Sequence, residues 1–575
     1  MSNPAFAQDE AAEVEEVVVT GSFIAGTPED AALPVDVIGE QELENRGSPS
    51  MVQLIKTIPS SGSVIGENNR FGAGNGAATV NLRNLNSAAT GPRTLVLFNG
   101  RRVATSTRAI GSVDVNMLPQ SAIARVEVLK DGAAATYGSD AIAGVVNFIT
   151  RKNYDGLELS GQYQAIDGSD GDWELGAVWG WQGDRTSILL SGDYRERSEM
   201  PVFERDWAIR TGPSGYLENP LGGWAGTGNP GAYNYATGAP VGSPNTGYTS
   251  FSATGAFADI GCAANGGAPY VIGSATVTPT GCLFQYTSFD NLVEDEQQWK
   301  IYGQLDFDVT DNIKFHAEAL YANNETPLQS WAITGPNQTP APILASGASP
   351  GGGVSPIPAV GTSEQSRFYI PAANPGLQAL IGQINAANCT GTALPYGVDA
   401  ATCAAGLAAA RAAVTSAGAN GILASATGWR PVGFAGNPYT EDQHSHYTYQ
   451  TQTFRVVGGF NGQINDWLKF DSSLTYQQID YEYNLQDTSV NRLQLGLRGY
   501  GSRAGDPNQC EAGETANFTT GAGNASLGCY WFNPFTNAIA QSTAGVGANP
   551  YYIDSSTIPG FNDAVANRGA VFDWM

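Results

Sequence analysis

Residues 118–152 read LPQSAIARVEVLKDGAAATYGSDAIAGVVNFITRK. Two runs in it, Ala124 to Leu129 and Gly144 to Thr150, are short, rich in Val, Leu, Ile and Phe, and bounded by turn residues, which predicts two buried strands. Asp131-Gly132 and Gly138-Ser139-Asp140 are turn signals in the Gly/Ala/Ser-rich linker between them. The stretch therefore predicts a compact α+β element. Nothing in it is a nucleophile, a metal cluster or a phosphate loop.

Upstream the same style continues. Leu33 to Ile38 predicts a strand and Gly39 to Arg46 a helix start, while Met51, Leu54, Ile55 and Ile58 recur at helical spacing until Pro59 stops them. Gly72 to Gly76 is a loop and not a dinucleotide fingerprint, because no strand leads into it. Ala78 to Arg83 and Arg93 to Phe98 read as strands. Asn99-Gly100 is a type I′ turn signal, with Arg102 to Ala104 returning from it.

Downstream of residue 157 the period becomes 2. Trp299, Ile301, Gly303, Leu305, Phe307 and Val309 alternate with Lys300, Tyr302, Gln304, Asp306 and Asp308. Ile313 to Tyr321, Leu157 to Ala165, Trp173 to Gln182, Arg185 to Arg195, Thr451 to Ile464 and Trp467 to Gln478 follow the same rule, giving about seven strands of transmembrane length. Gly183-Asp184, Thr310 to Asn312 and Asn465-Asp466 are tight turns, whereas 197–296, 326–447 and 484–575 are long Gly/Pro/Asn-rich loops. Short turns on one side and long loops on the other are the habit of an outer-membrane barrel, and a soluble β-sandwich has no reason to sort its connections so.

The motifs then carry a resemblance. Val126-Glu127-Val128-Leu129, Tyr137-Gly138-Ser139 and Gly144-Val145-Val146-Asn147 stand in the order that closely resembles the end of the plug domain of TonB-dependent outer-membrane receptors. Such a resemblance implies an α+β plug inside a transmembrane antiparallel β-barrel, 22-stranded in the family, here an open partial barrel. Residues 1–7 would be a signal-peptide remnant, 8–32 a flexible segment, 33–152 the plug, and 153–575 the partial barrel with long extracellular loops. Ala5-Phe6-Ala7 before Gln8 has the form of a signal-peptidase site, which makes Met1 a late or artificial start. Glu16, Val17, Val18, Val19 and Thr20 match the TonB box, a strand-forming peptide that adds to a partner sheet. The short lead before it leaves no room for an extra signalling domain.

Because the sequence ends in a long loop after an odd strand, and bilayers do not tolerate an open edge, it reads as the front portion of a longer receptor. Arg83 and Lys130 sit where the family places the cations that latch the plug to barrel glutamates, with Lys130 offering no bidentate fork. The Leu-Arg-Gly and Leu-Asp-Gly-Arg motifs are matched with Asn84 and Asn99 at the changed positions. At the plug apex, Asn69, Arg70, Phe71 and Arg108 are the expected ligand-binding residues. The implied partners are TonB with its inner-membrane energising complex, outer-membrane lipid, and a ferric siderophore, oligosaccharide or similar large nutrient. The implied place is the bacterial outer membrane, and the implied role is energised import without catalysis or cofactor. The alternatives are a surface ligand-binding or adhesion β-protein without energised transport, and a passive porin.

Composition agrees and excludes. The 575 residues hold 71 Gly, 24 Tyr and 22 Phe with only 14% charged residues, which suits a β-rich chain that meets something other than water. No apolar run is long enough for a membrane helix; the Ala-rich stretch from Ala404 to Ala424 is interrupted by Arg411. A net charge of -26 excludes a nucleic-acid binder, which must supply cations to phosphates. Cys262 with Cys282, Cys389 with Cys403 and Cys510 with Cys529 pair locally within the long loops and predict three disulfides in an oxidising compartment. The three histidines are His316, His444 and His446; the latter two, near Glu441 and Asp442, and the Asp167 to Asp172 turn are read as solvated polar segments, not metal sites.

Overall fold

The structure, a computed structural model, describes residues 35–39, 42–43, 50–58, 60–62, 77–86, 91–106, 111–130, 134–201, 204–205, 224–225, 232–236, 241–243, 247–250, 253–265, 267–270, 281–285, 291–331, 369–391, 394–395, 399–424, 445–465, 467–485, 496–497, 499–501, 529, 531–538, 540 and 548–553. The chain divides into two compact units. Residues 1–199, 293–327 and 448–483 make the first, and 200–292, 328–447 and 484–575 the second.

In the first unit β1 (Val35–Ile38), β2 (Thr94–Phe98), β3 (Arg101–Arg102), β4 (Ile123–Leu129) and β5 (Gly144–Thr150) form one sheet in the order β1-β4-β5-β2-β3. β2 and β5 are parallel, with Thr94 opposite Gly144, and the other pairs are antiparallel. Every residue of β2 and β5 is buried, so their unbroken apolar runs are explained by cover on both faces. Helix α1 (Met51–Lys56) packs Met51, Val52, Leu54 and Ile55 inward. Ser50 starts it through a capping box: Gln53 N donates to Ser50 Oγ at 3.3 Å and Ser50 N to Gln53 Oε1 at 3.1 Å. A single turn, α2 (Ala134–Tyr137), fills the β4–β5 linker.

One strand expected from the sequence is absent. Ala78 to Arg83 makes only an isolated bridge, Leu82 with Ser61, because its amides are taken by side chains: Ala78 N donates to Asp114 at 3.0 Å and Leu82 N to Thr94 at 3.0 Å. Arg83 and Asn84 then adopt left-handed φ angles of 54° and 56°, through which no strand continues.

The wall of the same unit is a seven-stranded antiparallel sheet. Its members are β6 (Gly156–Gln164), β7 (Asp172–Gln182), β8 (Thr186–Arg197), β9 (Glu296–Thr310), β10 (Ile313–Trp331), β11 (Ser445–Asn465) and β12 (Leu468–Leu485), in the order β12-β11-β10-β9-β8-β7-β6. These are the seven alternating segments of the sequence, with β10 and β12 reaching well past the clean alternation.

Alternation sorts the wall's two faces. Leu159 and Ile301 are 73% and 60% exposed, while Lys300 and Tyr302, the neighbours of Ile301, are 4% and 0% exposed. On the outer face aromatic pairs mark both rims: Tyr163 with Trp173 (ring centroids 4.4 Å apart) and Trp299 with Tyr321 (5.0 Å) at the long-loop end, Phe315 with Phe460 (5.1 Å) near the short turns. Two such girdles around an apolar band are the surface of a lipid-facing barrel. On the inner face Val178, Leu189, Tyr302 and Leu320 join the plug core around Phe98, Val126 and Phe148.

The second unit corrects the expectation that 197–296, 326–447 and 484–575 are loops and nothing more. Helices α3 (Pro375–Ala386) and α4 (Ala400–Asn420) share a core with Tyr233, Phe257, Ile370, Leu497 and Phe532. A four-stranded sheet orders residues 253–258, 232–236, 422–424 and 369–370. Cys262 is bonded to Cys282 and Cys389 to Cys403, closing spans of 20 and 14 residues. Cys529 is disulfide-bonded too, and Cys510 lies outside the described residues. Asp259 is fully buried. Burial pushes its carboxyl up, and Thr536, Gly261 and Tyr233 pull it back by donating to it.

Candidate functional site

The site is the seat of the plug on the inner face of the wall, and it begins at the β2–β3 turn. Asn99 and Gly100 have φ of 50° and 73°, the two positive values a type I′ turn requires. Two bonds from β5 fix the turn: Asn99 N donates to the Phe148 carbonyl at 2.9 Å, and Gly100 N to Asn147 Oδ1 at 3.0 Å. The asparagine of the Gly-Val-Val-Asn motif thus serves to hold the hairpin tip.

So held, Asn99 reaches the wall. Its Nδ2 donates to Glu318 Oε1 at 3.0 Å and to the Tyr302 hydroxyl at 3.3 Å, while its Oδ1 accepts from Thr150 N at 3.0 Å and Thr150 Oγ1 at 3.1 Å. Thr150 Oγ1 and the Tyr302 hydroxyl lie 2.7 and 3.0 Å from Gln304 Oε1, and Gln304 passes the chain on to Asp306 at 2.7 Å. Behind Glu318 stands Arg455. Both are fully buried, with Nη1 2.5 Å from Oε2 and the guanidinium 5.3 Å above the Phe98 ring. His316 sets Nδ1 2.7 Å from Asp306 and Nε2 2.6 Å from Glu318, an arrangement satisfied by the ring with both N–H groups donating.

Three smaller contacts extend the seat. Ser121 donates its N (2.9 Å) and Oγ (2.5 Å) to Asp193 on β8, beside a polar crevice lined by Ser160, Glu174 and Lys300. Ala104 N donates to Gln477 on β12 at 2.9 Å. Arg151, at the end of the plug, makes a two-pronged bond to Glu158 on β6 at 2.6 and 3.1 Å. Close approach here depends on glycine: a Cβ at Gly180 would strike the Tyr154 carbonyl, and one at Gly176 the Ser121 hydroxyl.

Of the residues singled out from sequence, Lys130 is paired with Asp36 on β1, inside the plug. Arg83 donates to the Ile142 and Ala143 carbonyls, closing the β4–β5 linker. Asp172 faces Arg197 at 4.0 Å. Glu16 to Thr20, Asn69, Arg70, Phe71, Arg108 and His444 lie outside the described residues, and His446 lies on β11. Asn99 was singled out only as a turn residue and a departure from the motif, and Thr150, Gln304, Glu318 and Arg455 not as site residues. Their signal was the period-2 rule itself, which puts Gln304 and Glu318 on the wet face, but naming their partner requires the register.

The description TonB-dependent Receptor Plug Domain matches residues 27–145. The chain carries the plug of a TonB-dependent receptor. Across 172 residues it is 33% identical to the vitamin B12 transporter BtuB of Photobacterium profundum, a match covering 30% of this chain and 26% of that protein. The chain thus spans about a quarter of the length of that curated relative. Two solved structures are similar over most of this chain at low score. The siderophore receptor PirA from Acinetobacter baumannii has 13% identity over 78% of this chain and 40% of its own, TM-score 0.35. The ferric yersiniabactin uptake receptor FyuA from Yersinia pestis has 10% identity over 80% and 42%, TM-score 0.35. A TonB-dependent receptor is an outer-membrane β-barrel protein, and the seven-stranded wall with its exposed apolar face is that barrel's lipid-facing surface in this chain.

Proposed function

We propose that this TonB-dependent receptor imports a scarce, large nutrient across the bacterial outer membrane, with the plug gating the barrel. The observation that carries the reading is the polar seat: Asn99 and Thr150 are held to Glu318, Gln304 and Tyr302 by hydrogen bonds, which a directional pull can break one after another. The proposed division remains 1–7 signal remnant, 8–32 flexible segment, 33–152 plug and 153–575 partial barrel. Glu16 to Thr20 pair with TonB in the periplasm, and Asn69, Arg70, Phe71 and Arg108 at the plug apex meet the ligand. Arg83 and Lys130 latch the plug to barrel glutamates, Lys130 more loosely because it offers no bidentate fork. Ligand occupancy frees the box strand, and the proton-motive force of the inner membrane supplies the pull.

Deleting residues 15–21 tests this. Uptake of the nutrient should stop while binding to intact cells persists. Growth on the nutrient unchanged by that deletion would reject import in favour of an adhesin or a porin.

A further inference from the structure

Three tyrosines stack on the inner face near the long-loop ends of β11 and β12. The Tyr449 ring lies 4.8 Å from Tyr483 at 20° and 6.3 Å from Tyr481 at 22°. Their face follows from alternation, since Arg455 on β11 meets Glu318 and Gln477 on β12 meets the plug, and the three tyrosines share that parity.

Beside them lies an unused amide. Gln450 Nε2 donates to Asn323 Oδ1 at 3.0 Å, which brings Asn324 on β10 to the level of Tyr449 on β11. Asn324 is fully buried, yet among the described residues neither its amide nitrogen nor its oxygen has a hydrogen-bond partner. The Thr453 hydroxyl, on the same face of β11, is buried and likewise without a partner among them. Buried donors and acceptors left open are costly, and native chains keep them where something else completes them.

The chemistry of that something is narrow. Parallel aromatic faces take a flat ring, and an amide with both groups open takes neighbouring hydroxyls that donate and accept. The subsite meets an anionic metal chelate with an amide and hydroxyls in place of a guanidinium.

We propose that Tyr449, Tyr481, Tyr483 and Asn324 form a subsite for an uncharged ring bearing hydroxyl groups, of a sugar or a phenol. The nutrient is then a neutral polyhydroxylated compound and not an anionic iron complex. The identity of the cargo rests on the import reading; the subsite itself does not.

The test is equilibrium binding of radiolabelled cellohexaose, of epicatechin and of ferric tris(catecholate) to outer-membrane vesicles carrying the protein. Cellohexaose or epicatechin should bind, whichever does naming the sugar or the phenol. Tyr449→Ala and Tyr483→Ala should each weaken that binding about tenfold, as loss of one stacked ring predicts. Tyr449→Phe should stay near the parent, and Asn324→Leu should lose affinity with the barrel intact by its heat-modifiable mobility. Tighter binding of ferric tris(catecholate) than of both neutral probes, no neutral binding up to about 1 mM, or unchanged affinity in both alanine variants would overturn the subsite. Because binding is read without energised uptake, failure of the 15–21 deletion to stop import would leave this result standing.

Discussion

At the tip of the β2–β3 hairpin an aspartate would bring a second carboxylate to within hydrogen-bond distance of Glu318. That explains the departure of Asn99 from the Leu-Asp-Gly-Arg motif, since only the amide both donates to Glu318 and accepts from Thr150. Asn99→Asp should loosen the seat by at least about 2 kcal/mol, read as a lower urea midpoint for protease access to the plug. Asn99→Gly keeps the turn and loses only the contacts, so it should cost less. Glu318→Ala strands the buried Arg455 and should cost about 3–5 kcal/mol. Replacing Glu318 and Arg455 together by leucine should cost clearly less than the single change, and urea unfolding in micelles would show the order.

At the scale of elements, Gly180 lets β7 lie against the Tyr154 carbonyl, a backbone atom that cannot step aside. Gly180→Ala should therefore destabilise the plug–wall contact by about 1–3 kcal/mol, with faster proteolysis of residues near 150–156 as the readout. Helix α4 offers a pH test. Its N-cap, Asp399, accepts from Ala401 N at 3.0 Å and Thr402 N at 2.9 Å, and the Thr402 hydroxyl first, then these amides, hold its carboxyl below the usual range. The native state thus binds the proton less readily than the unfolded chain. The cap's contribution is complete above the ordinary aspartate pKa of about 4 and is lost as pH falls through the depressed value. Protection of the Ala401 and Thr402 amides, taken relative to the intrinsic exchange rate at each pH, should fall on acidification, and Asp399→Asn should abolish that pH dependence while keeping the cap.

Elements differ in how far their sequence announces them. β2 and β5 were legible because unbroken runs such as Gly144 to Thr150 have one stable solution, cover on both faces. Wall strands were legible because period 2 is local. Ala78 to Arg83 was misread because its amides go to Asp114 and Thr94, partners that only tertiary structure supplies. The seat was half legible: His316 and Asp306 are register partners across one tight turn, but Arg455 reaches Glu318 from 137 residues away. The second unit was illegible for the same reason carried further, since Asp259 meets Thr536 across 277 residues.

For the whole molecule, the two faces of the wall impose opposite rules. Leu190, 48% exposed and opposite Gly303 in the middle of the apolar band, should not tolerate charge: Leu190→Arg is expected to cost about 2–4 kcal/mol in lipid. Gln298→Arg, on the inner face, should be milder, and urea titration of liposome-folded protein compares the two. The staples at Cys262–Cys282 and Cys389–Cys403 bear on biogenesis. Each spans so few residues that its thiols can be joined while most of the chain is still a translocating thread, ahead of insertion. A host stripped of its periplasmic thiol oxidase should deliver this polypeptide to the assembly machinery with unsealed surface segments, and degradation there, not failure of the porelike wall, would limit the amount that matures.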